Sequence, residues 1–144
     1  MKLDIGCGPK KPAGWTGMDR VEHEGVDITH DWRDLPWPLE DGEAEQLRAS
    51  HVLEHVCPLT LLDWMDEAWR VLEAGGTFHV AVPHAGTEGD YQDPTHCAHF
   101  NAATWRYFDP DYELYSVYEP RPWKVERLIH NGPNIDVVLV KRAA

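Results

Sequence analysis

Glycines and carboxylates follow the first three apolar runs of the sequence, and these residue types at strand ends can bind a nucleoside. The first run leads into Gly6-Cys7-Gly8, the second ends at Asp19, and the third is followed by Asp31 and Trp32. Two glycines let the backbone turn sharply and let a ligand approach without a Cβ in the way. Asp19 can accept hydrogen bonds from both hydroxyls of a ribose, and Asp31 can accept the amine of adenine beside the flat Trp32 ring. Together the three positions predict a nucleoside site.

The opening loop lacks the fingerprint of a dinucleotide site. That fingerprint needs a third glycine at position 11, where the sequence has Lys11. Pro9 and Pro12 also interrupt the helix that would present its N-terminus to a pyrophosphate. NAD and FAD are therefore disfavoured as ligands, and a tight turn without any ligand is the simpler alternative for the glycines alone.

Four histidines are candidates for a general base, because an unperturbed histidine titrates near neutral pH. They are His51, His84, His96 and His99. A metal ion is the competing interpretation, since His96-Cys97-Ala98-His99 could combine with His84, Asp90 and Asp93. The spacing lacks the tight ligand pairs of zinc motifs, so our main expectation is a site without a resident metal.

Alternating strands and helices are predicted to position these residues. Short apolar runs bounded by turn residues indicate strands over Met1–Ile5, Trp15–Met18, Gly25–Thr29, Gln46–Val52 and Thr77–Val82. A helix is predicted to begin after Thr60 as its N-cap, with Asp63 in capping-box spacing, and to stop at Gly75-Gly76. Its core-facing side is predicted from apolar residues at helical intervals, which are Leu61, Met65, Ala68 and Leu72.

The second half of the chain contains an aromatic-rich region and then a hairpin. Residues 85–123 contain one short predicted helix near 102–108, capped by Asn101, and indicate an inserted lid or substrate region. We expect at least half of its aromatic residues to pack into the core. Asn131-Gly132-Pro133-Asn134 is predicted to join strands over Val125–Ile129 and Ile135–Val140. We therefore predict a single domain over residues 1–144, an α/β sandwich with a mostly parallel sheet and one late antiparallel strand.

Charge and composition disfavour several classes of protein. Thirteen Lys and Arg against twenty-five Asp and Glu give a net charge of -12, which repels nucleic acid and anionic lipid surfaces. No apolar run approaches the ~20 residues of a membrane helix, and the first residues lack a secretory apolar stretch, so we expect a cytoplasmic protein. The three cysteines, Cys7, Cys57 and Cys97, are expected to be free thiols.

Five segments, in order, resemble the Rossmann-type S-adenosylmethionine-dependent methyltransferases. The nearest form is a compact group of predicted methyltransferases that has Gly-Trp before the second acid. The segments are Leu3–Gly8, Gly14–Asp19, Asp31–Pro36, Ser50–His55 and Arg70–Gly76. The resemblance covers about residues 1–84. Beyond them it is thinner, although Asp93-Pro94-Thr95-His96, Phe100 and Thr104–Phe108 are similar to a segment that some members carry.

The resemblance implies a Rossmann-like three-layer sandwich with S-adenosylmethionine as cofactor. It implies that Asp19 and the adjacent Arg20 lie at the ribose, Asp31 and Trp32 at the adenine, and His51 beside the sulfonium. The residues implied to border the methionine part are Asp4, Gly6, Cys7 and Gly8.

The resemblance also places the substrate lobe of the family after the fifth strand. His96 is therefore our first choice as general base, with Asp93 to orient it, and His99 is the next choice. The competing interpretation of residues 93–96 is a turn whose side chains cap the next short helix. His55 is expected to order a loop through side-chain hydrogen bonds.

Two features depart from the family pattern. Six residues separate Gly8 from Trp15, fewer than the ~12 of a parallel crossover, so a loop is expected to replace the usual helix. No covering helix precedes the first strand, so we expect a pocket that is more open or is closed by a second subunit, as in a homodimer.

The sequence thus predicts a methyltransferase that uses S-adenosylmethionine and acts on oxygen or nitrogen of a small molecule, or of a peripheral group on a larger one. One alternative is a non-catalytic module that binds S-adenosylmethionine or serves as a partner subunit. Another is a metal-dependent hydrolase built on His84, His96 and His99.

Overall fold

Seven strands form one sheet in the computed structural model, which describes residues 1–144. The strands are β1 Lys2–Ile5, β2 Thr16–Asp19, β3 Ile28–Thr29, β4 Ala44–Ser50, β5 Leu72–Pro83, β6 Trp123–Asn131 and β7 Asn134–Lys141. Their order across the sheet is β3-β2-β1-β4-β5-β7-β6, and β7 alone runs in the direction opposite to the other six strands. The predicted Rossmann-like α/β fold, mostly parallel with one antiparallel strand near the C-terminus, is confirmed.

The last two strands form the predicted hairpin. Asn131 pairs with Asn134, so only Gly132 and Pro133 lie between the strands. Gly132 has a φ of 58°, a left-handed conformation that glycine adopts without steric cost. The turn residues read from the sequence therefore do fix this connection.

Helix α1, Leu61–Val71, packs one apolar side onto the sheet. Its residues Trp64, Met65 and Ala68 are buried, and the Trp64 ring centroid lies 6.1 Å from that of Phe78 in β5. The helix begins after Thr60 as predicted, but the Thr60 hydroxyl donates to the carbonyl of Cys57 at 3.1 Å instead of capping the helix. The predicted capping box is therefore wrong.

The predicted end of α1 at Gly75-Gly76 is also wrong. The helix ends at Val71, and β5 begins with the next residue. A Cβ on Gly76 would lie 2.9 Å from the carbonyl oxygen of Glu45, which immediately follows the first residue of β4. Gly76 is thus required where β5 passes close to β4, and the pair belongs to the strand.

The helices leave one face of the sheet uncovered. On the helix side Leu47, Phe78 and Leu139 are fully buried. On the other side only strand residues line a groove of about 350 Å³, and they include Arg48, Ser50, His79, Arg127, Asp136 and Val138. No helix packs there, so over these strands the third layer implied by the resemblance is missing.

A loop stands where the family has its first helix, as predicted. Residues 6–15 contain no helix. A Cβ on Gly17 of β2 would lie 2.6 Å from Cys7 Sγ and 3.0 Å from Lys11 Cδ, so these two side chains cover the strand directly. Lys11 also pairs with Asp27, whose carboxylate accepts the Gly17 amide at 2.8 Å. The loop therefore closes over β1 and β2 by side-chain packing and one ion pair.

Residues 85–123 return to the helix side of the sheet through a short helix α2, Glu88–Tyr91, and two 3-10 helices, Ala102–Phe108 and Glu113–Val117. Asn101 caps the first 3-10 helix, as predicted, by accepting the amides of Ala103 and Thr104. Trp105 stacks on Phe100 with 5.3 Å between ring centroids, and both rings are buried, whereas Tyr91 and Tyr118 are exposed. Four of the nine aromatic residues in 85–123 are buried, namely Phe100, Trp105, Phe108 and Trp123, so slightly fewer than the predicted half pack into the core. The three cysteines are free thiols, as expected.

None of the helices combines the length and the apolar composition that crossing a membrane requires.

Candidate active site

The carboxyl ends of β1, β2 and β4 meet at one edge of the sheet, and the glycine loop lies across them. The amide of Gly6 donates to the carbonyl of Met18 at 2.8 Å, which ties the end of β1 to β2. Gly6 has a φ of 65°, and a Cβ there would lie 2.7 Å from Val52 Cγ2. Because a Cβ here would clash with Val52, only glycine lets the loop pass this close to the residues after β4.

Asp19 is joined to this loop by a hydrogen bond. The amide of Gly8 donates to Asp19 Oδ2 at 2.8 Å, and the amide of Val21 donates to Oδ1 at 3.1 Å. A carboxylate has about four acceptor sites, so Asp19 keeps two for a ligand. The neighbouring Arg20 is exposed at the same edge. Both residues thus lie beside the glycine loop at the carboxyl end of β2.

Asp31 and Trp32 form the next part of the edge. Two indole N–H groups, from Trp37 at 3.0 Å and Trp64 at 2.9 Å, donate to the carbonyl of Trp32 and fix its backbone. A Cβ on Gly6 would lie 3.5 Å from the Trp32 indole nitrogen, so this ring borders the glycine loop. Arg33 donates to both oxygens of Asp31, which holds the pKa of that carboxyl at about 2.

Asp4 and Cys7, two of the residues that the resemblance implies to border the methionine part, direct their side chains onto other residues of the protein. Asp4 is 1% exposed, and both of its oxygens accept from Arg48 Nη1 at 2.9 Å, so its side chain cannot reach a ligand in the cleft. Burial raises the pKa of Asp4 although Arg48 opposes that change. Cys7 packs its thiol against Gly17, burial raises the pKa of this thiol, and its amide donates to the carbonyl of Met18 at 3.3 Å. Asp4 is therefore a structural residue beneath the loop.

His51 stands at the end of β4 in an unusual backbone conformation. Its φ is 58°, which a residue with a Cβ rarely adopts, and half of its side chain is exposed. Its Nδ1 lies 3.4 Å from Oε2 of Glu54, a fully buried carboxylate whose oxygens have no other partner. Glu54 raises the pKa of His51 by stabilising the imidazolium. Glu54 was not predicted, although its spacing of three residues from His51 was a usable signal.

The backbone of Glu54 also brings residues 96–100 to this edge. Its carbonyl accepts the amides of Cys97 at 2.8 Å and Ala98 at 3.1 Å. The amide of Ala85, just after β5, donates to the carbonyl of Phe100 at 2.7 Å. The segment that carries His96 and His99 is thus attached to the ends of both β4 and β5.

His99 forms a histidine–carboxylate pair with a residue that the sequence analysis did not assign as its partner. Its Nδ1 lies 2.9 Å from Oδ1 and 3.0 Å from Oδ2 of Asp90. Asp90 is 1% exposed, and the amide of Gly86 donates to it at 3.1 Å. Because Asp90 accepts the Nδ1 proton, the neutral ring keeps the lone pair on Nε2. The His99 side chain is 44% exposed, so a substrate can reach it.

His96 and Asp93 lie close together, but the His96 side chain is mostly buried. His96 is only 10% exposed, its Nδ1 lies 2.9 Å from the backbone carbonyl of Asp90, and its Nε2 lies 3.6 Å from Asp93 Oδ2. Two hydrogen bonds from Thr95 hold the pKa of Asp93 below its ordinary value. His55 packs against His96 with 4.8 Å between ring centroids and orders this turn through Thr95, as expected.

The alternative metal set of His84, His96 and His99 does not form. His84 packs against His130 of β6 with 5.4 Å between ring centroids, whereas His99 binds Asp90 and His96 packs against His55. The one group of three side chains close enough to share an ion is His55, Asp93 and His96. The hydrolase alternative based on the original set is therefore not supported.

The fold, but not the sequence, matches known proteins. No protein-family model matches the chain, and no curated protein does. An S-adenosylmethionine-dependent methyltransferase of Archaeoglobus fulgidus is similar to it with a TM-score of 0.69 and 15% identity over 97% of this chain and 85% of that one.

Two further solved structures have the same fold. The Burkholderia thailandensis 1,6-didemethyltoxoflavin-N1-methyltransferase, with bound 1,6-didemethyltoxoflavin and S-adenosylhomocysteine, has a TM-score of 0.72 at 14% identity over 99% of this chain and 71% of that one. The cyclase SpnF has a TM-score of 0.67 at 15% identity over 99% and 74%. The chain thus has the Rossmann-type fold of S-adenosylmethionine-dependent methyltransferases.

The contact between His51 and Glu54 predicts a measurable pH dependence. In a proton NMR titration His51 is expected to titrate above 6.5, because the Glu54 carboxylate stabilises the charged ring. The pair stabilises the folded state fully below pH 6.5, and this contribution is lost as the pH rises through the raised pKa.

The Glu54→Gln variant tests the cause of that shift, because an amide cannot stabilise the imidazolium as a carboxylate does. The variant should bring the His51 transition back towards 6.5, while the matched Asp136→Asn change should have a smaller effect, since Asp136 contributes less. A wild-type transition at or below 6.5 would contradict the assignment.

Proposed function

We propose that this protein is a methyltransferase that uses S-adenosylmethionine and transfers the methyl group to oxygen or nitrogen of a small molecule, or of a peripheral group on a larger one. The observation that carries the proposal is a shared edge of the sheet. The glycine loop and Asp19 lie at the ends of β1 and β2, and the His99–Asp90 pair is held at the ends of β4 and β5.

The cofactor residues that we propose follow the order of the strands. The backbone of Gly6, Cys7 and Gly8 would border the methionine part, and Asp19 with Arg20 would lie at the ribose. Asp31 and Trp32 would border the adenine, where one acceptor site of Asp31 Oδ2 is left beside Arg33. His51 would stand next to the sulfonium. The buried Asp4 is left out of this set.

The charge of the chain agrees with this ligand. S-adenosylmethionine carries a sulfonium, an ammonium and one carboxylate, so its net charge is positive. A chain with a net charge of -12 attracts such a molecule and repels polyanions. A small acceptor is also the substrate class of the Burkholderia thailandensis enzyme that has this fold.

Methyl transfer requires the protein to align the cofactor with the acceptor and to remove a proton from the acceptor. When bound, S-adenosylmethionine supplies an electrophilic methyl group and a neutral thioether as leaving group. His99 Nε2 would accept the proton of the acceptor hydroxyl or amine as the new bond to carbon forms. Asp90 would hold the ring in the tautomer that makes this possible and would stabilise the imidazolium that results.

His99 replaces His96, our first choice from the sequence, as the proposed base. The His99 side chain is 44% exposed and its Nε2 makes no hydrogen bond, whereas the His96 side chain is only 10% exposed. A general base must reach the proton that it removes, which the exposed ring can do and the enclosed ring cannot. Asp93 accordingly leaves the proposed catalytic set with His96.

Calorimetry tests cofactor binding at Asp19. Wild-type protein should bind S-adenosylmethionine, and Asp19→Asn should weaken binding roughly 10- to 100-fold, since a hydrogen bond to a charged group is worth about 1.5 to 3 kcal/mol. The exposed Asp34, where Asp34→Asn is the same chemical change, serves as the control and should bind normally. Absence of binding to the wild-type protein would overturn the proposal.

Turnover tests the assignment of His99. With radiolabelled S-adenosylmethionine and a panel of small oxygen and nitrogen acceptors, His99→Gln should lower kcat about 10²- to 10⁴-fold, the usual contribution of a general base. The exposed His23 gives the matched control, because His23→Gln leaves the site intact. Full turnover in His99→Gln, with loss of turnover in His96→Gln, would restore our first choice.

A further inference from the structure

Three side chains that the proposed reaction does not use converge beside the site. His55 lies in a 3-10 helix after β4, and Asp93 and His96 lie in the turn after α2. One ligand atom from each lies within 4.8 Å of the others, and all three residues are partly buried. Two imidazoles and one carboxylate at this separation are a donor set for a metal ion.

The hydrogen bonds of His96 leave its Nε2 free to bind an ion. A backbone carbonyl can only accept, so the contact of His96 Nδ1 with the carbonyl of Asp90 at 2.9 Å places a proton on Nδ1. The lone pair of the neutral ring is then on Nε2, which lies 3.6 Å from Asp93 Oδ2. Two ligands of a tetrahedral ion with bonds near 2.1 Å lie about 3.4 Å apart, so this separation is already suitable.

The hydrogen bonds of Thr95 determine which atoms of Asp93 and His55 are free to bind an ion, because its hydroxyl has only one proton to donate. Its amide and its hydroxyl lie 2.8 Å and 2.7 Å from Asp93 Oδ1, and a carboxylate can only accept. The single hydroxyl proton is thus donated to Asp93. The contact between this hydroxyl and His55 Nδ1 at 3.1 Å must then be a bond that His55 donates. His55 therefore also keeps its lone pair on Nε2, and Asp93 keeps Oδ2 free.

All three ligand atoms are thus oriented by hydrogen bonds from the opposite side of their own groups. Metal-binding histidines in proteins have this arrangement, in which the second ring nitrogen donates to a carbonyl or another acceptor. The rings of His55 and His96 are also held at 73° to each other by packing. In the neutral ring the Nε2 lone pair of His96 faces a carboxylate oxygen, a repulsive contact that either a bound cation or a proton on Nε2 relieves.

We propose that His55 Nε2, His96 Nε2 and Asp93 Oδ2 bind one divalent transition-metal ion, of which Zn²⁺ is the representative. Nitrogen donors select such ions over Mg²⁺ and Ca²⁺, which prefer oxygen ligands. Three protein ligands leave one tetrahedral position open, and the side chain of Asp93 is 41% exposed, so solvent reaches the site. Water or a donor atom of another molecule completes the coordination. The site shares Asp90 with the His99 pair, since its carbonyl holds His96 and its carboxylate holds His99.

Cobalt titration tests this site without any measurement of activity. Untagged full-length protein, stripped with a chelator, is titrated with Co²⁺ at slightly alkaline pH in excess Mg²⁺, which occupies the acidic surface. We expect a visible ligand-field absorption that saturates at one ion per chain and disappears when Zn²⁺ is added. A colourless wild-type protein, or one in which Zn²⁺ does not compete, would overturn the proposal.

Variants locate the ion. His55→Gln and His96→Gln should abolish the absorption, while His23→Gln, a change in an exposed loop, should retain it. Absorption that persists in both ligand variants would overturn the assignment.

Thr95 provides a gentler test, in case the enclosed His96 cannot be replaced without unfolding. Thr95→Val removes the hydroxyl that orients two ligands and should weaken binding about 10- to 100-fold, whereas Thr95→Ser retains it and should bind like the wild type. Equal affinity in the two Thr95 variants would contradict the role of the hydroxyl. Calorimetry with S-adenosylmethionine is independent of this titration, so either proposal can fail alone.

Discussion

The backbone carbonyl of Glu54 is the contact on which the arrangement of both proposed sites depends. It accepts the amides of Cys97 and Ala98, and so attaches residues 85–123 to the end of β4. The side chain of the same residue is buried and faces His51. The carboxylate of Glu54 thus positions His51, and its carbonyl positions the segment that carries His96 and His99. The second attachment, between Ala85 and Phe100, ties the same segment to the end of β5.

The uncovered face of the sheet explains several residues that are unusual in a parallel sheet. Parallel sheets are normally covered on both faces and their strands are apolar throughout. Here Arg48, His79 and Val138 share a face with no helix over it, whereas Leu47, Phe78 and Leu139 on the other face are fully buried. The Asp4–Arg48 pair lies at the boundary where the 6–15 loop begins to cover the strands. The chain therefore retains the strand order of the fold with only one complete helical layer.

Much of the fold was predictable because it depends on local signals. The hairpin followed from its turn residues, and the loop after β1 followed from the short spacing between Gly8 and Trp15. The start of α1 was placed correctly at Thr60, although the Thr60 side chain does not cap the helix. The end of α1 was not predictable, since Gly75-Gly76 can stop a helix or let two strands approach closely. Only the packing of Gly76 against Glu45 decides between these roles.

The site was predictable where it lies at strand ends and unpredictable where it depends on long-range contacts. Asp19 and Trp32 lie where the order of strands indicated. The spacing of Asp93 and His96 suggested a catalytic pair, yet the buried partner Asp90 belongs to His99. His55 and Thr95 meet across forty residues of sequence, which no local pattern reveals.

The most direct test of the central claim is a crystal structure with S-adenosylhomocysteine, the demethylated product of the proposed cofactor. We expect the ribose at Asp19, the adenine beside Trp32, and the sulfur facing the exposed ring of His99 across the glycine loop. Density for the ligand in the groove between Arg48 and Arg127 on the uncovered face, or no density at all, would contradict this expectation.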